Sequence, residues 1–340
     1  MPICDPPRRL HAAMAGTGDP YAALTPLRLR LLRGLHDAVP VSTLASSTGL
    51  TFDRLLAELD PLRAASLVTD ASGYPRPSFL VVTSGETARV DVHAAATGQQ
   101  LAARIRAHWA TIVDGYARLA VSATTALAGI AFLLVGDRVL DVGLLDGLAR
   151  EHTLMPPAPA RPSPGHPDAR YYFWMIEGNH AQRGRYGQRV TPLADETWSL
   201  LTFGEYTRGD VPNDARDRLE GDVKAYLAAD PARTPARLAG HLGLPLIDQE
   251  DARAWWGTVR ACVDNLVGVY RGGGPALRRL YAGLSAGAYL HDGLGEFACW
   301  YDHLAYAHAI DTLAEQGLLT IPPARFSAGI WQDPPESSRF

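Results

Sequence analysis

Residues 41–68, VSTLASSTGLTFDRLLAELDPLRAASLV, decide how the N-terminal part of the chain folds. Leu44 and Ala45 belong to a short helical stretch that stops at Thr48-Gly49, where glycine admits the left-handed conformation that ends helices. Thr51 follows as an N-cap, because its hydroxyl can accept from the unpaired N–H groups of the next turn. Leu55, Leu56, Leu59 and Leu62 then recur at three- and four-residue steps, the period of a helix with one apolar face. Upstream, LTPLRLRLLRGLH (24–36) sets Leu27, Leu31, Leu32 and Leu35 on one stripe, with Arg28, Arg30 and Arg33 mostly outside it. Downstream, RAASLVTDASGYPRPSFLVVT (63–83) supplies a strand, a Gly-containing turn and another strand. The order is helix, helix–turn–helix, β-hairpin.

Through LASSTGL and LDPLRAASLV, residues 25–83 resemble the winged-helix domains of the bacterial ArsR and MarR regulator groups, over less than a fifth of the chain. The resemblance implies that the second helix of the helix–turn–helix enters the DNA major groove and that the wing touches backbone or minor groove. Carried onto this sequence, the readers are Thr51, Asp53, Arg54 and their neighbours, with Arg76 near the wing. Arg28, Arg30 and Arg33 would have to join them in one basic face. Local charge is balanced, however: Arg28, Arg30, Arg33, Arg54 and Arg63 stand against Asp37, Asp53, Glu58, Asp60 and Asp70. Pro61 also interrupts the reading helix. Winged helices serve equally as dimerisation modules, as in small-molecule O-methyltransferases, or as peptide-docking modules in peptide-modifying enzymes, so those uses stay open.

The chain of 340 residues is 47% apolar and 20% charged, which describes a globular protein with two or three compact units. No apolar run reaches the length of a membrane span, and MPICDPPRRLHAAMAG has no continuous apolar region of the signal-peptide kind. The expectation is a cytoplasmic protein without membrane contact. Cys4, Cys262 and Cys299 are too far apart for a Cys-rich metal or disulfide framework. A net charge of −4 exerts no global pull on nucleic acid.

Farther along, RTPARLAGHLGLPL (233–246) repeats the first motif: Leu44, Ala45, Gly49 and Leu50 answer to Leu238, Ala239, Gly243 and Leu244. A helix precedes it and a long one, DQEDARAWWGTVRACVDNLVGVY, follows, again in helix–turn–helix order but without a clear wing. A shift of 165 residues pairs Tyr116, Leu119, Phe132, Asp137, Asp146 and Leu148 with Tyr281, Leu284, Phe297, Asp302, Asp311 and Leu313. This self-similarity points to an internal duplication.

Two stretches between and within these halves hold side chains that could carry chemistry. YYFWMIEG and WSLLTFGEY read as strands joined by NHAQRGRYGQRVTPLADE. Arg183, Arg185 and Arg189 around Tyr186, beside Tyr172 and Trp174, could hold an anionic or aromatic ligand. Alternatively the arginines pair with Asp195, Glu196 and Glu205. Glu177 and His180 have ExxH spacing, which serves a metal on a helix and loses its meaning at a strand end. On the helix FACWYDHLAYAHAI (297–310), Glu296, Trp300 and His303 share one face as acid–base or metal candidates, against the alternative of a buried aromatic helix. VLDVGLLDG (139–147) lacks the glycine cluster of a nucleotide-binding turn.

The expected fold class is therefore mainly α (α+β). Its expected order is a flexible tail (1–19), a winged helix (20–95), a helical region (96–155) and a Pro-rich linker (156–170). A β-rich segment (171–210), a second helix–turn–helix-like domain (211–330) and a tail (331–340) follow. The leading functional expectation is a DNA-binding transcriptional regulator, dimeric, with a C-terminal region that senses a small molecule or dimerises and no cofactor. A modifying enzyme that docks through its winged helix, and a non-catalytic assembly protein, are the alternatives.

Overall fold

A computed structural model describes residues 9–70, 73–151, 154–163, 165–193, 197–205, 214–229 and 234–334. It is about 61% helix and about 15% strand, mainly α with some sheet. The chain forms two compact units, and neither is a continuous stretch. Met1–His93, Leu148–Arg183 and Gly273–Tyr301 make unit 1; Ala94–Gly147, Gly184–Gly272 and Asp302–Phe340 make unit 2.

In unit 1, β1 (Leu10–Gly16) precedes α1 (Pro26–His36), α2 (Val41–Thr48) and α3 (Phe52–Ala64). Thr25 and Thr51 cap α1 and α3, their hydroxyls accepting from the N–H groups of Arg28 at 3.2 Å and Arg54 at 3.3 Å. Leu31, Leu32, Leu35, Leu44, Leu55, Leu59 and Leu62 join Phe79, Val81, Phe173 and Met175 in one core. A short hairpin of β2 (Val68–Thr69) and β3 (Arg76–Pro77) follows α3. The rest of the expected hairpin strand goes elsewhere: β4 (Leu80–Val82) runs parallel to β5 (Tyr171–Glu177).

The expected tail also holds a strand, because β1 pairs antiparallel with the other edge of β5 from Leu10↔Glu177 to Gly16↔Tyr171. All seven residues of β5 are buried, so it is a central strand that needs a partner on each edge. LHAAMAG has no β-branched residue, which is why it does not read as a strand.

Two long helical runs follow the sheets. The first comprises α4 (Ser84–Ala107), α5 (Trp109–Ala117), α6 (Leu127–Ala131), a π-helical segment (Phe132–Asp141) and α7 (Val142–Arg150). The second comprises α10 (Gln249–Ala282) and α11 (Leu294–Glu315). Unit 2 carries a sheet of order β6-β7-β9-β8: β6 (Tyr186–Pro192), β7 (Ser199–Glu205), β8 (Leu246–Ile247) and β9 (Phe326–Trp331). α8 (Asp214–Ala229) and α9 (Pro235–Leu242) pack on it through Val223, Leu238 and Ala239.

Local details recur between the two halves of the sequence. α2 and α9 end at Gly49 and Gly243, both left-handed with φ 71° and 65°. The next residues, Leu50 and Leu244, donate to the carbonyls of Ala45 and Ala239. β4 lies parallel to β5 as β8 does to β9, and β1 and β7 are the antiparallel neighbours. At the fixed spacing of 165, the Tyr116 hydroxyl donates to the Thr125 carbonyl and that of Tyr281 to the Leu290 carbonyl. The 3₁₀ turns Ala120–Ala123 and Ser285–Ala288 keep the same spacing, as do the first residues of α4 and α10 and the last of α7 and α11.

The three helices expected in helix–turn–helix order in the second half are present as α8, α9 and α10, with β8 between the last two. From Leu244 the chain passes through Pro245 into β8, and α10 covers the range that α4 and α5 span 165 residues earlier. Among the described residues, the stretch between α9 and α10 holds β8 but no further helix.

Candidate functional site

α3 turns one face outward. At 100° per residue, Asp53, Ala57, Asp60 and Ala64 fall within about 60° of one another, and all four are exposed. Phe52 and Tyr74 are exposed by 51% and 65%, a large aromatic surface for one short segment. The arginines expected to read DNA are mostly committed inward. Arg28 Nε donates to Glu58 at 3.0 Å and its Nη1 to the Ala23 carbonyl at 3.0 Å. Arg33 pairs with Asp37 and lies 3.6 Å from Glu177. Arg76 donates to the carbonyls of Leu35 and His36 at the C-terminus of α1 and stacks 5.4 Å from the Tyr289 ring. Arg54 is 68% exposed but 3.4 Å from Glu58. Thr51 caps α3. Arg30 is exposed without a partner among the described residues.

The residues expected to hold a ligand divide between the units. In unit 1, the Trp174 indole N–H donates to the Arg183 carbonyl at 2.7 Å, and the Tyr172 hydroxyl donates to the Pro156 carbonyl. Arg183 is itself buried, with Nη2 2.5 Å from His180 Nε2. In unit 2, Arg185 pairs with Glu205 at 3.2 Å and Asp311 at 2.8 Å, and the Tyr186 hydroxyl donates to Asp311 at 2.8 Å. Arg189 pairs with Glu220 at 2.7 Å and Asp217 at 3.3 Å. Glu205 is thus one of the anticipated acidic partners; Asp195 and Glu196 lie outside the described residues.

The acid–base and metal candidates carry structural bonds. Glu177 sits at the end of β5 and accepts from the Ser84 N–H at 3.2 Å, at the start of α4. His180 lies in a 3₁₀ turn, edge-on to the His11 ring. Glu296 is buried, ion-paired with Arg161, and accepts from the Leu80 N–H at 2.8 Å and the Phe173 N–H at 3.4 Å. Burial pushes its carboxyl up to about 7 while Arg161 and the two N–H groups oppose that shift. The Trp300 indole donates to the Gln182 carbonyl at 2.9 Å. His303, on the same helix but in unit 2, is buried with its ring 5.1 Å from Tyr306.

Sequence reasoning missed the buried acids. Asp137 and Asp141 on the π-helical segment and Asp302 on α11 are at most 4% exposed. Tyr270 donates to Asp302, and Tyr306 donates to Asp141 at 3.4 Å. Arg138 lies 3.2 Å from Asp137 and 4.4 Å above the Trp331 ring. Burial raises Asp137 to about 6 and Asp302 to about 8, and raises Asp141 well above the usual carboxylate range with Asp137 and Asp302 adding repulsion. The available signal was an aspartate pair four residues apart inside the apolar run FLLVGDRVLDVGLL.

Two acids instead cap helical turns at equivalent places. Glu86 accepts from the Ser285 N–H at 2.6 Å, and Asp251 from those of Ala120 and Val121 at 2.6 and 3.0 Å. Among the described residues no group of three or more His, Cys, Asp or Glu converges as metal ligands, and no helix is long and apolar enough to cross a membrane. A groove of about 650 Å³ between α8 and α9 is lined by Asp222, Ala225, Tyr226, His241 and Leu242. No family model, curated protein or solved structure matches the chain.

Proposed function

We propose that this chain is a non-catalytic assembly protein built from two fused copies of one unit, with residues 25–83 as its single complete winged helix and protein-docking module. The observation that carries the reading is the outward stripe of α3. It presents Asp53 and Asp60 with alanines between them, where a DNA reader needs donors and positive charge. Arg28, Arg33 and Arg76 face the protein's own carboxylates and carbonyls. The candidate catalytic groups are engaged in capping and ion pairing, which also favours a scaffold.

The fused-copy reading is supported by the recurrent caps and bonds at the 165-residue spacing and by Glu86 and Asp251. Each acid caps a turn from the other half of the sequence, within its own unit. A second copy without α3 and hairpin leaves one docking head per chain.

The regulator reading retains one favourable observation, the exposed guanidinium groups of Arg30 and Arg54. Fluorescence anisotropy of a labelled mixed-sequence DNA duplex at low salt separates the two. No salt-dependent binding is expected; binding that Arg54→Ala removes would restore the DNA reader.

A further inference from the structure

We infer that the docking partner of α3 is a second copy of this chain, met through the outward face of α10. This rests on the reading of α3 as a protein-docking surface. The α3 stripe carries two carboxylates seven residues apart, Asp53 and Asp60, separated by Ala57 and followed by Ala64. In unit 2, α10 carries the complementary pattern: Arg253 and Arg260, also seven residues apart, with Ala254, Gly257 and Ala261 beside them, all exposed. Seven residues span about 10.5 Å of helix and bring the second side chain to within about 20° of the first. The two acids therefore match the two arginines in spacing and in face, whichever way the helices run.

The four groups are available for this contact. Asp53, Arg253 and Arg260 have no side-chain partner among the described residues. Asp60 has Arg63 at 3.2 Å, an exposed pair that competes weakly. The small side chains matter as much as the charges. Gly257 has open space beyond it, and alanines line both stripes, so the helix axes can approach closely enough for the long arginines to reach across.

The contact joins two different surfaces, so it is head-to-tail, and each chain keeps a free α3 and a free α10 for the next. It is also electrostatic, exposed and salt-sensitive.

Sedimentation velocity on the full chain at about 50 mM and about 500 mM salt tests this. Concentration-dependent species larger than the monomer are expected at low salt and are lost at high salt. Asp53→Arg/Asp60→Arg and Arg253→Asp/Arg260→Asp alter only exposed side chains, and unchanged circular dichroism and melting temperature verify their folding. Each variant alone sets like charges against each other and is expected to associate at least about tenfold more weakly. An equimolar mixture of the two recovers opposite charges at both contacts and is expected to associate again. A wild-type chain that stays monomeric at low salt, association that survives the reversals, or a mixture that stays monomeric overturns the self-docking contact. Those outcomes leave the docking reading of α3 in place as long as the DNA duplex also fails to bind; DNA binding through Arg54 overturns both.

Discussion

Asp137, Asp141 and Asp302 are carboxylates buried in unit 2 with Arg138 as the guanidinium nearest Asp137. Among the described residues neither oxygen of Asp137 and only one of Asp302 has a hydrogen-bond partner, so ionising these groups is costly. The consequence is a pH-dependent stability. An acid raised in the folded state permits full stability below its unfolded value near 4, and that stability is lost as pH rises through the folded value. For Asp302 the folded value is about 8 and for Glu296 about 7. His36 acts oppositely: burial lowers it to about 4, so its effect falls in acid, below its unfolded value. Between about pH 6.5 and pH 8.5 the acids alone dominate, and the urea midpoint is expected to fall across that window. Asp302→Asn, which keeps an acceptor for the Tyr270 hydroxyl, is expected to flatten the fall by at least a third. An unchanged slope would mean that Asp302 is ionised in the folded protein.

At the scale of elements, α2 and α9 share a burial pattern position for position from 41–50 and 235–244, although only the first is followed by α3. Each depends on a left-handed glycine, Gly49 or Gly243, whose added Cβ would meet no neighbour but would strain the backbone. Gly49→Ala and Gly243→Ala are each expected to cost about 1 kcal/mol by chemical denaturation, and by similar amounts. Costs differing by more than about that much would show that the two caps are not equivalent. These helices were legible because 3.6-residue periodicity and cap residues are local signals. β1, β8 and β9 were not, because their strand state depends on neighbours from distant sequence: LHAAMAG needs β5, and Leu246–Ile247 needs β9.

Across the whole molecule the halves interleave. Unit 1 takes its central strand β5 and the turn that meets Glu86 from beyond the Pro-rich segment, while Asp251 in unit 2 caps a turn from before it. A chain cut at Gly165, where φ is positive and an added Cβ meets nothing, tests this arrangement. Fragments 1–164 and 165–340 are expected to co-purify as a 1:1 complex with native-like circular dichroism, and each alone is expected to aggregate or remain unfolded. Two fragments that fold independently would contradict the interleaving.

Local spacing in the sequence was enough for the helices of 24–62, the cap at Thr51, the stop at Gly49 and the acids on α3, since each rests on one element, and comparison of the two halves gave the echo at 165 residues. The sequence also carried the candidate site only as a set of residue types. Glu296, Arg185 and Arg189 read equally as ligand or catalytic groups and as paired or buried ones, and the fold supplied Arg161, Asp311 and Glu220 as their partners. Tertiary structure alone decided which charges are spent internally and which remain, because an ion pair depends on distance through space. The sequence separation of 135 residues between Arg161 and Glu296 leaves no local trace of their contact. The same holds for β8, whose pairing with β9 joins residues more than eighty positions apart.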